Sequence, residues 1–556
     1  MVLHERAGGH DAGAPWQARG VTTPPNAVDV AVPAPGAQAV SAHLRRDGTV
    51  RTFAASRRAD GWWTASLADA VDGDVWWWEV DGVAPLLDPS TPQMRIVDGL
   101  PHNVVRTTWP SRPSLGWHHP DPVIYELHVR GFGRTFDGVR SRLPYLAGLG
   151  VDVVELLPVH PFDPSDNYWG YMPLVWGAVH EPYGRADAAE ELAVLCDEAH
   201  ALELEVWLDV VFNHTGEGNW SLPTRSLRGL PGVGWYRMRD DGSPFDDSGC
   251  GNDIDPAEPH VRRLVLEALD RYADLGVDGF RFDLASLLTR DGGGLVDEIT
   301  AWAGRRGVVL VAEAWDLGSY QVGAEVWPDA WRQWNDRFRD DVRGFVRAEE
   351  GKVPAIVQRV QGSPDVLGAD GASRTVNFVS AHDGLTLFDL TVVTSDRHHS
   401  WDCGDQLRPR MLRNLLVLLL LADGAAMFVQ GDEFGRTQGG HDNPFDIDGP
   451  ISWVDWLRAD EFADLREFIR QLLVLRRGAS RRPVEWFAVD GGELDTGWSS
   501  RSLAWRTDDL WVAANMWWEP LPLTEPPAGW VRVVETAPQH PGELAARSII
   551  VWHRTP

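Results

Sequence analysis

The run VDGFRFD, ending at Asp283, puts an arginine two residues from a carboxylate. In an extended segment side chains alternate between faces, so Arg281 and Asp283 share one face and Phe280 and Phe282 the other. A guanidinium on that face favours a charged carboxylate by charge and by hydrogen bonding. A charged Asp at the end of a buried strand is what a covalent nucleophile needs. Taken alone, the stretch GFRFD (279–283) reads equally well as a structural Arg–Asp pair. Further along, Glu313 stands in VAEAW between Ala312 and Ala314, followed by Trp315. Apolar neighbours stabilise a carboxylate poorly, so Glu313 is expected to hold its proton. One carboxyl kept charged and one kept protonated is the pattern of glycoside cleavage with retention. One attacks the anomeric carbon; the other protonates the leaving oxygen and then activates water. His382 and Asp383, in VSAHD, could steady an oxocarbenium-like centre and grip sugar hydroxyls, although His382 by itself reads more readily as a core histidine. DVVFNH adds Asp209, Asn213 and His214.

Such groups need strand ends to hold them. From Val123 the chain alternates apolar strands with amphipathic helices: VIYELHV (123–129), VDVVELLPV (151–159), EVWLDVVF (205–212), VDGFRFD, VVLVAEAW (308–315), RTVNFVSAHD (374–383) and AAMFVQGDEF (425–434). A short strand near Trp331 to Asn335 would make eight. Between the third strand and the helix in HVRRLVLEALDRYADLG (260–276) lies a long insertion, about residues 213–257. Eight strands alternating with helices over 113–480 predict an α/β fold, a (β/α)₈ barrel whose chemistry sits at the C-terminal strand ends. A doubly wound sheet is the competitor, but no Gly-rich phosphate loop opens any helix. Residues 1–112 read as short strands with Gly and Pro punctuation, a β-sandwich, and TTWPSRPSLGWHHPDP (107–122) marks the boundary. Residues 481–556 read as a second β-sandwich.

The bulk composition narrows the partners. A net charge of −30 argues against nucleic acid or an anionic membrane surface. The N-terminal stretch has no apolar signal-peptide core, and LLVLLLLA (415–422) is too short to span a bilayer. Three scattered cysteines suit neither a disulfide framework nor a zinc site, so a reduced, cytoplasmic protein without an obligatory cofactor or metal is expected. Tryptophan is unusually frequent, at 29 residues including Trp76-Trp77-Trp78 and Trp517-Trp518. Aromatic faces pack well on the C–H faces of sugar rings, so a minority of these are expected to touch ligand and the rest to serve as core.

DVVFNH, GFRFDLAS, AEAW and VSAHD together resemble the four signature regions of the α-amylase superfamily, glycoside hydrolase family thirteen. The resemblance implies Asp283 as nucleophile, Glu313 as acid/base and Asp383 as transition-state stabiliser. It implies substrate contacts from His214, Arg281, His382 and from Tyr171 in NYWGYM, and a structural part at the site for Asp209 and Asn213; Trp315, next to Ala314, is expected to be a further substrate contact. ELLPVHPF, NYWGYMPLVW, GCGN, NFVSAHDGLTLFDL, SWDCG and GDEFGRTQGG are further similar to isoamylase-type glycogen debranching enzymes. The N-terminal sandwich resembles, more weakly, the glycan-binding module that precedes the barrel in those enzymes. The partner so implied is an α-glucan: glycogen, amylopectin or branched dextrins. The chain departs from the group at Ala314, where Pro is usual, at Asp402, where Asn is usual, and near His441. It also has a short polar loop over 384–399, expected on the rim of the cleft. Since the same carboxylates serve α-1,4 and α-1,6 hydrolysis and transfer, a glucan transferase and an α-1,4-acting amylase stay open beside a debranching hydrolase. A non-catalytic glycan-binding subunit is disfavoured by the intact carboxylate triad.

Overall fold

The structure is a computed structural model describing residues 27–165 and 167–554. The polar N-terminal stretch read above for a signal peptide lies outside the described residues. At the centre is a closed barrel of eight parallel strands in sequential order. These are β1 (Val123–Leu127), β2 (Val153–Leu156), β3 (Glu205–Val210), β4 (Gly279–Phe282), β5 (Val309–Ala312), β6 (Trp331–Asn335), β7 (Thr375–Phe378) and β8 (Ala425–Val429). The strand read near Trp331 is therefore present. The strands are nearly continuous apolar runs because both faces are buried, one by helices and one by the barrel interior. Ile124, Val153, Trp207, Val311, Trp334, Val376 and Met427 fill that interior. Above this apolar layer the inward positions turn polar: Glu126, Glu155, Asp209 and Arg281.

The helices follow from sequence in the same way. Pro259–Asp274 begins with Pro at its first turn, where no intrahelical N–H bond is lost, and Glu258 accepts from His260 N–H as cap. Its Val261, Leu264, Val265, Leu269 and Tyr272 are buried at helical spacing. Gly294–Arg306 ends at Gly307 with φ +67°, a left-handed cap. Arg408–Leu421 is buried along its whole second half. The orphan carbonyls at its end accept from buried Arg476, whose Nη1 reaches Leu420 O at 2.9 Å and Ala422 O at 3.2 Å. In one place strict alternation fails: residues 313–330, between β5 and β6, contain no helix. Gly318, Gly323 and Pro328 punctuate that stretch, and it crosses to the next strand as a loop.

The β-rich ends pack onto this frame. Two antiparallel sheets precede the barrel, one built on Ala27–Pro33 and Trp62–Ala68, the other ordered Thr49–Ala54, Val40–Arg46, Val75–Val80, Leu100–Val104, Met94–Val97. In the triple tryptophan run Trp76 and Trp78 are core, while Trp77 stacks on His43 at 5.3 Å. These sheets are tied to Pro259–Asp274: Arg271 donates to Ser90 O at 2.7 Å and Arg263 lies over the Trp62 ring at 4.3 Å. After the last helix, Ala463–Gly478, comes a five-stranded antiparallel sheet, Glu485–Phe487, Ser502–Arg506, Leu510–Asn515, Ser548–Arg554 and Trp530–Glu535 in spatial order, with a two-stranded sheet beside it. Among the described residues no helix is long and apolar enough to cross a membrane.

Candidate active site

The register of the barrel places Asp209 on β3 directly opposite Arg281 on β4. Arg281, only 1% exposed, is the hub. Its Nη1 donates to Asp209 Oδ2 at 2.7 Å and to Asp283 Oδ1 at 3.1 Å, and its Nη2 donates to Glu313 Oε2 at 2.8 Å. The ring of Trp334 lies under it, 4.2 Å from the guanidinium carbon. One cation thus holds three carboxyls, a geometry that suits a planar fork with several donors and not a point charge.

Asp283 sits one residue past β4 and Glu313 one residue past β5. Asn213 donates to Asp283 Oδ2 at 2.9 Å and to its carbonyl at 2.7 Å. Leu284, the next residue, adopts φ +39°, a left-handed conformation rare for a branched side chain. That turn aims its N–H at Glu313 Oε2, 2.9 Å away. Glu313 is therefore less isolated than its alanine neighbours suggested. Burial nevertheless dominates: it pushes the carboxyl up to about 8, with Asp283 adding to the effect and Arg281 opposing it. Burial likewise raises Asp209 to about 6, against the pull of Arg281.

Tyr171 donates its hydroxyl to Asp209 Oδ2 and lies nearly parallel to the His382 ring, 5.0 Å between centroids and 21° between planes. Trp169 meets the same imidazole edge-on at 5.0 Å. His214 is pinned between Asn213 Oδ1 and the carbonyl of Tyr171, the latter at 2.7 Å. His382 and Asp383 lie four and five residues beyond the end of β7. Asp383 faces the open cleft. Enclosure by the cleft walls works against its charge, but His382, Arg339, Arg281 and Arg343 hold its carboxyl below the usual range.

These groups line a cavity of about 980 Å³. Tyr171, His214, Arg281, Asp283, Glu313, His382 and Asp383 all face it; Asp209 and Asn213 stand behind. Trp315 is not on that wall. Two residues past Glu313, its ring runs nearly parallel to Tyr320, 6.4 Å between centroids, and packs against the barrel interior. The rim loop does reach the cleft, through Gly384, Arg397 and His398. Among the described residues no group of three or more His, Cys, Asp or Glu side chains is placed to hold a metal ion.

Several cleft residues escaped the sequence reading. Arg339 and Arg343 come from the helix after β6, spaced one turn apart, and a search for basic residues at that spacing after a barrel strand could have found them. Glu126 on β1 is the more consequential omission. Its Oε1 is 2.8 Å from His382 Nδ1. Burial alone would lower His382, but the charge and hydrogen bond of Glu126, with Asp383 behind, raise it to about 9. Glu155, opposite Glu126 in register, is buried, and neither of its oxygens has a hydrogen-bond partner. Burial, then Glu126 and Asp209, push it well above the carboxylate range. The histidine partner is accordingly Glu126 and not Glu155.

Replacing Glu126 by Gln keeps the shape and one acceptor but removes the charge facing His382. We expect kcat/KM to fall about tenfold or more, the worth of one charge-assisted hydrogen bond. Because a less basic His382 regains its proton in acid, the deficit should shrink as pH is lowered. A pH–rate profile showing a loss of equal size at every pH would contradict this role.

The family comparisons agree with the geometry. The "Alpha amylase, catalytic domain" family model matches residues 125–300. The chain is 32% identical to "Isoamylase SU1, chloroplastic" of Zea mays over 549 residues, covering 81% of this chain and 69% of the relative. It is 34% identical to the "Glycogen operon protein GlgX homolog" of Mycobacterium tuberculosis (strain ATCC 25618 / H37Rv) over 494 residues, covering 76% and 67%. The chain belongs to the isoamylase group of the α-amylase family. By class it is a glycoside hydrolase. The fold is shared with a pullulanase of Anoxybacillus sp. LM18-11 solved with maltotetraose, at a TM-score of 0.79 and 22% identity, over 96% of this chain and 87% of that one. The family's glucan chemistry gives the crowding of acids around Arg281 a purpose, since positive charge develops at the sugar carbon during cleavage.

Proposed function

We propose that the chain cleaves α-1,6 branch linkages of glycogen, amylopectin or limit dextrins through a covalent glycosyl-enzyme. Asp283 attacks the anomeric carbon and the leaving oxygen takes the proton of Glu313. Water, activated by the same Glu313, then releases the sugar and returns the proton. Asp383, open to the cleft and charged, faces the oxocarbenium-like centre. Tyr171 and His382 form the wall on which the reacting sugar rests, while Arg281, Asp209 and Asn213 fix the reacting carboxyls. The observation that carries the mechanism is the shared guanidinium. Bonding to the two ends of one fork keeps Asp283 and Glu313 close, which favours direct attack over a displacement with water between them. The linkage assignment is supported by the extent of similarity to isoamylase and GlgX relatives. The three cysteines are all free, in keeping with a reducing cytoplasmic setting.

The test is product analysis on two substrates. A branched dextrin should yield free linear chains, with rearranged chains as a side product at high acceptor concentration, while unbranched amylose should be left nearly intact. Rapid shortening of amylose with the branch linkages untouched would overturn the linkage assignment and leave the carboxyl roles standing.

A further inference from the structure

Three tryptophans that the cleft does not use stand together where the C-terminal sheet meets the barrel. Trp498 is 72% exposed and Trp518 59%. Neither is loose. Trp498 donates its indole N–H to Glu350 Oε2 at 2.7 Å, and its carbonyl accepts from Gly351 N–H at 2.8 Å. One side of its ring lies on Gly351, where an added Cβ would come within 2.7 Å of the ring carbons. The other oxygen of Glu350 accepts from Arg501 Nη2 at 3.2 Å. Arg501 is fixed in turn by Ala348 O at 2.7 Å and Ser499 O at 2.6 Å. It lies over Trp517 at 4.8 Å and Trp518 at 5.6 Å, whose rings meet at 4.9 Å.

The result is a fixed row: indole, carboxylate, guanidinium, paired indoles. Holding large aromatic rings rigidly in water gains nothing for folding, since the hydrophobic stabilisation of those faces is forgone. Apolar surface broken up by charged hydrogen-bonding groups does not match a dry protein interface, whose core is depleted of charge. It does match a sugar chain, which presents C–H faces to rings and hydroxyls to a carboxylate and a guanidinium at their edges.

One loop links the neighbourhood of the row to the cleft. Arg397 and His398 line the cleft cavity, and His398 bonds Asp442 at 2.9 Å. The adjoining residues of the same loop reach the C-terminal end of the helix Asp336–Arg347. There His399 bonds Glu349 at 2.9 Å and Asp396 pairs with Arg347 at 2.6 Å, around a depression of about 520 Å³. Glu349 is the neighbour of Glu350, where the tryptophan row begins.

We propose that Trp498, Trp517 and Trp518, with Glu350 and Arg501, form a second α-glucan-binding site, which holds an outer chain of the branched polymer whose branch point occupies the cleft. The identity of the ligand rests on the debranching reading above. Binding and turnover can be read apart. In native gels containing amylopectin, W498A/W518A introduced into the full chain carrying D283N should lose retention about fivefold relative to D283N alone, since each ring contact is modest. W498F should fall between the two. In the active chain the same pair of substitutions should raise KM for amylopectin several-fold, with a much smaller effect on a short branched oligosaccharide that spans only the cleft. Unchanged retention overturns the site. So does an equal loss on the short oligosaccharide, or a change of oligomeric state in the variant, which would make the row a contact between copies of this chain. If the active chain opens no α-1,6 linkage while tryptophan-dependent retention persists, the debranching reading fails and the second site stands.

Discussion

Asp283→Asn is expected to abolish turnover, with a loss of about four orders of magnitude or more, because an amide cannot form the glycosyl ester. The fold should survive. Arg281 keeps Asp209 and Glu313 as partners, and the asparagine carbonyl can still accept from one of its two present donors, Arg281 or Asn213. The other donor then faces an NH₂ group, so a small stability loss of about 1 kcal/mol is expected. Single-turnover kinetics on a branched dextrin, alongside a binding measurement, check this. A variant that keeps more than about a hundredth of the wild-type rate would remove Asp283 from the nucleophile role.

Glu313→Gln should be almost as damaging on natural glucans but much less so on an aryl glycoside, whose leaving group needs little protonation. Equal losses on both substrates would take Glu313 out of the acid role. The same substitution should stabilise the protein. Burial holds the Glu313 carboxyl at about 8 in the folded chain, against 4.5 ordinarily. Between those values the native protein keeps a proton that the unfolded chain has released, so native stability falls as pH rises through that window. Glutamine carries no such liability. The Tm of the variant should therefore exceed that of the wild type by more at pH 8 than at pH 4.5, and the alkaline limb of wild-type kcat/KM should lie near pH 8. A stability difference independent of pH would mean that the Glu313 carboxyl is not raised in the folded chain.

Much of this was legible because the site is built from short-range rules. Arg281 and Asp283 meet because a strand repeats every second residue, and both carboxyls follow directly on strands whose apolar runs mark them as buried. What alternation cannot convey is which residues face one another across the barrel. Glu126 is one polar residue in the apolar run VIYELHV, and only its closeness to His382 gives it a role. Glu313 was expected to be raised for want of partners. It has two, Arg281 and the N–H of Leu284, and is raised because burial outweighs both. The missing helix between β5 and β6 and the seat of Trp315 against Tyr320 depend on how a loop crosses the barrel, for which periodicity carries no signal. Trp517-Trp518 stood out by composition, yet Trp498 did not, since its part depends on Glu350 and Gly351 from a different region of the chain.

The pairing of Glu126 with His382 joins residues 256 positions apart, and β1 lies against β8 across the seam of the barrel. Contacts of such long range form late, after the chain has given up the freedom of the intervening loop. Arg281 and its three carboxyls, by contrast, come from the consecutive strands β3, β4 and β5 and do not cross that seam. Until Ala425–Val429 is added, nothing closes the wall that brings the imidazolium over the cleft. The acid pair is thus local to neighbouring strands, whereas the histidine wall facing it depends on closure of the whole barrel.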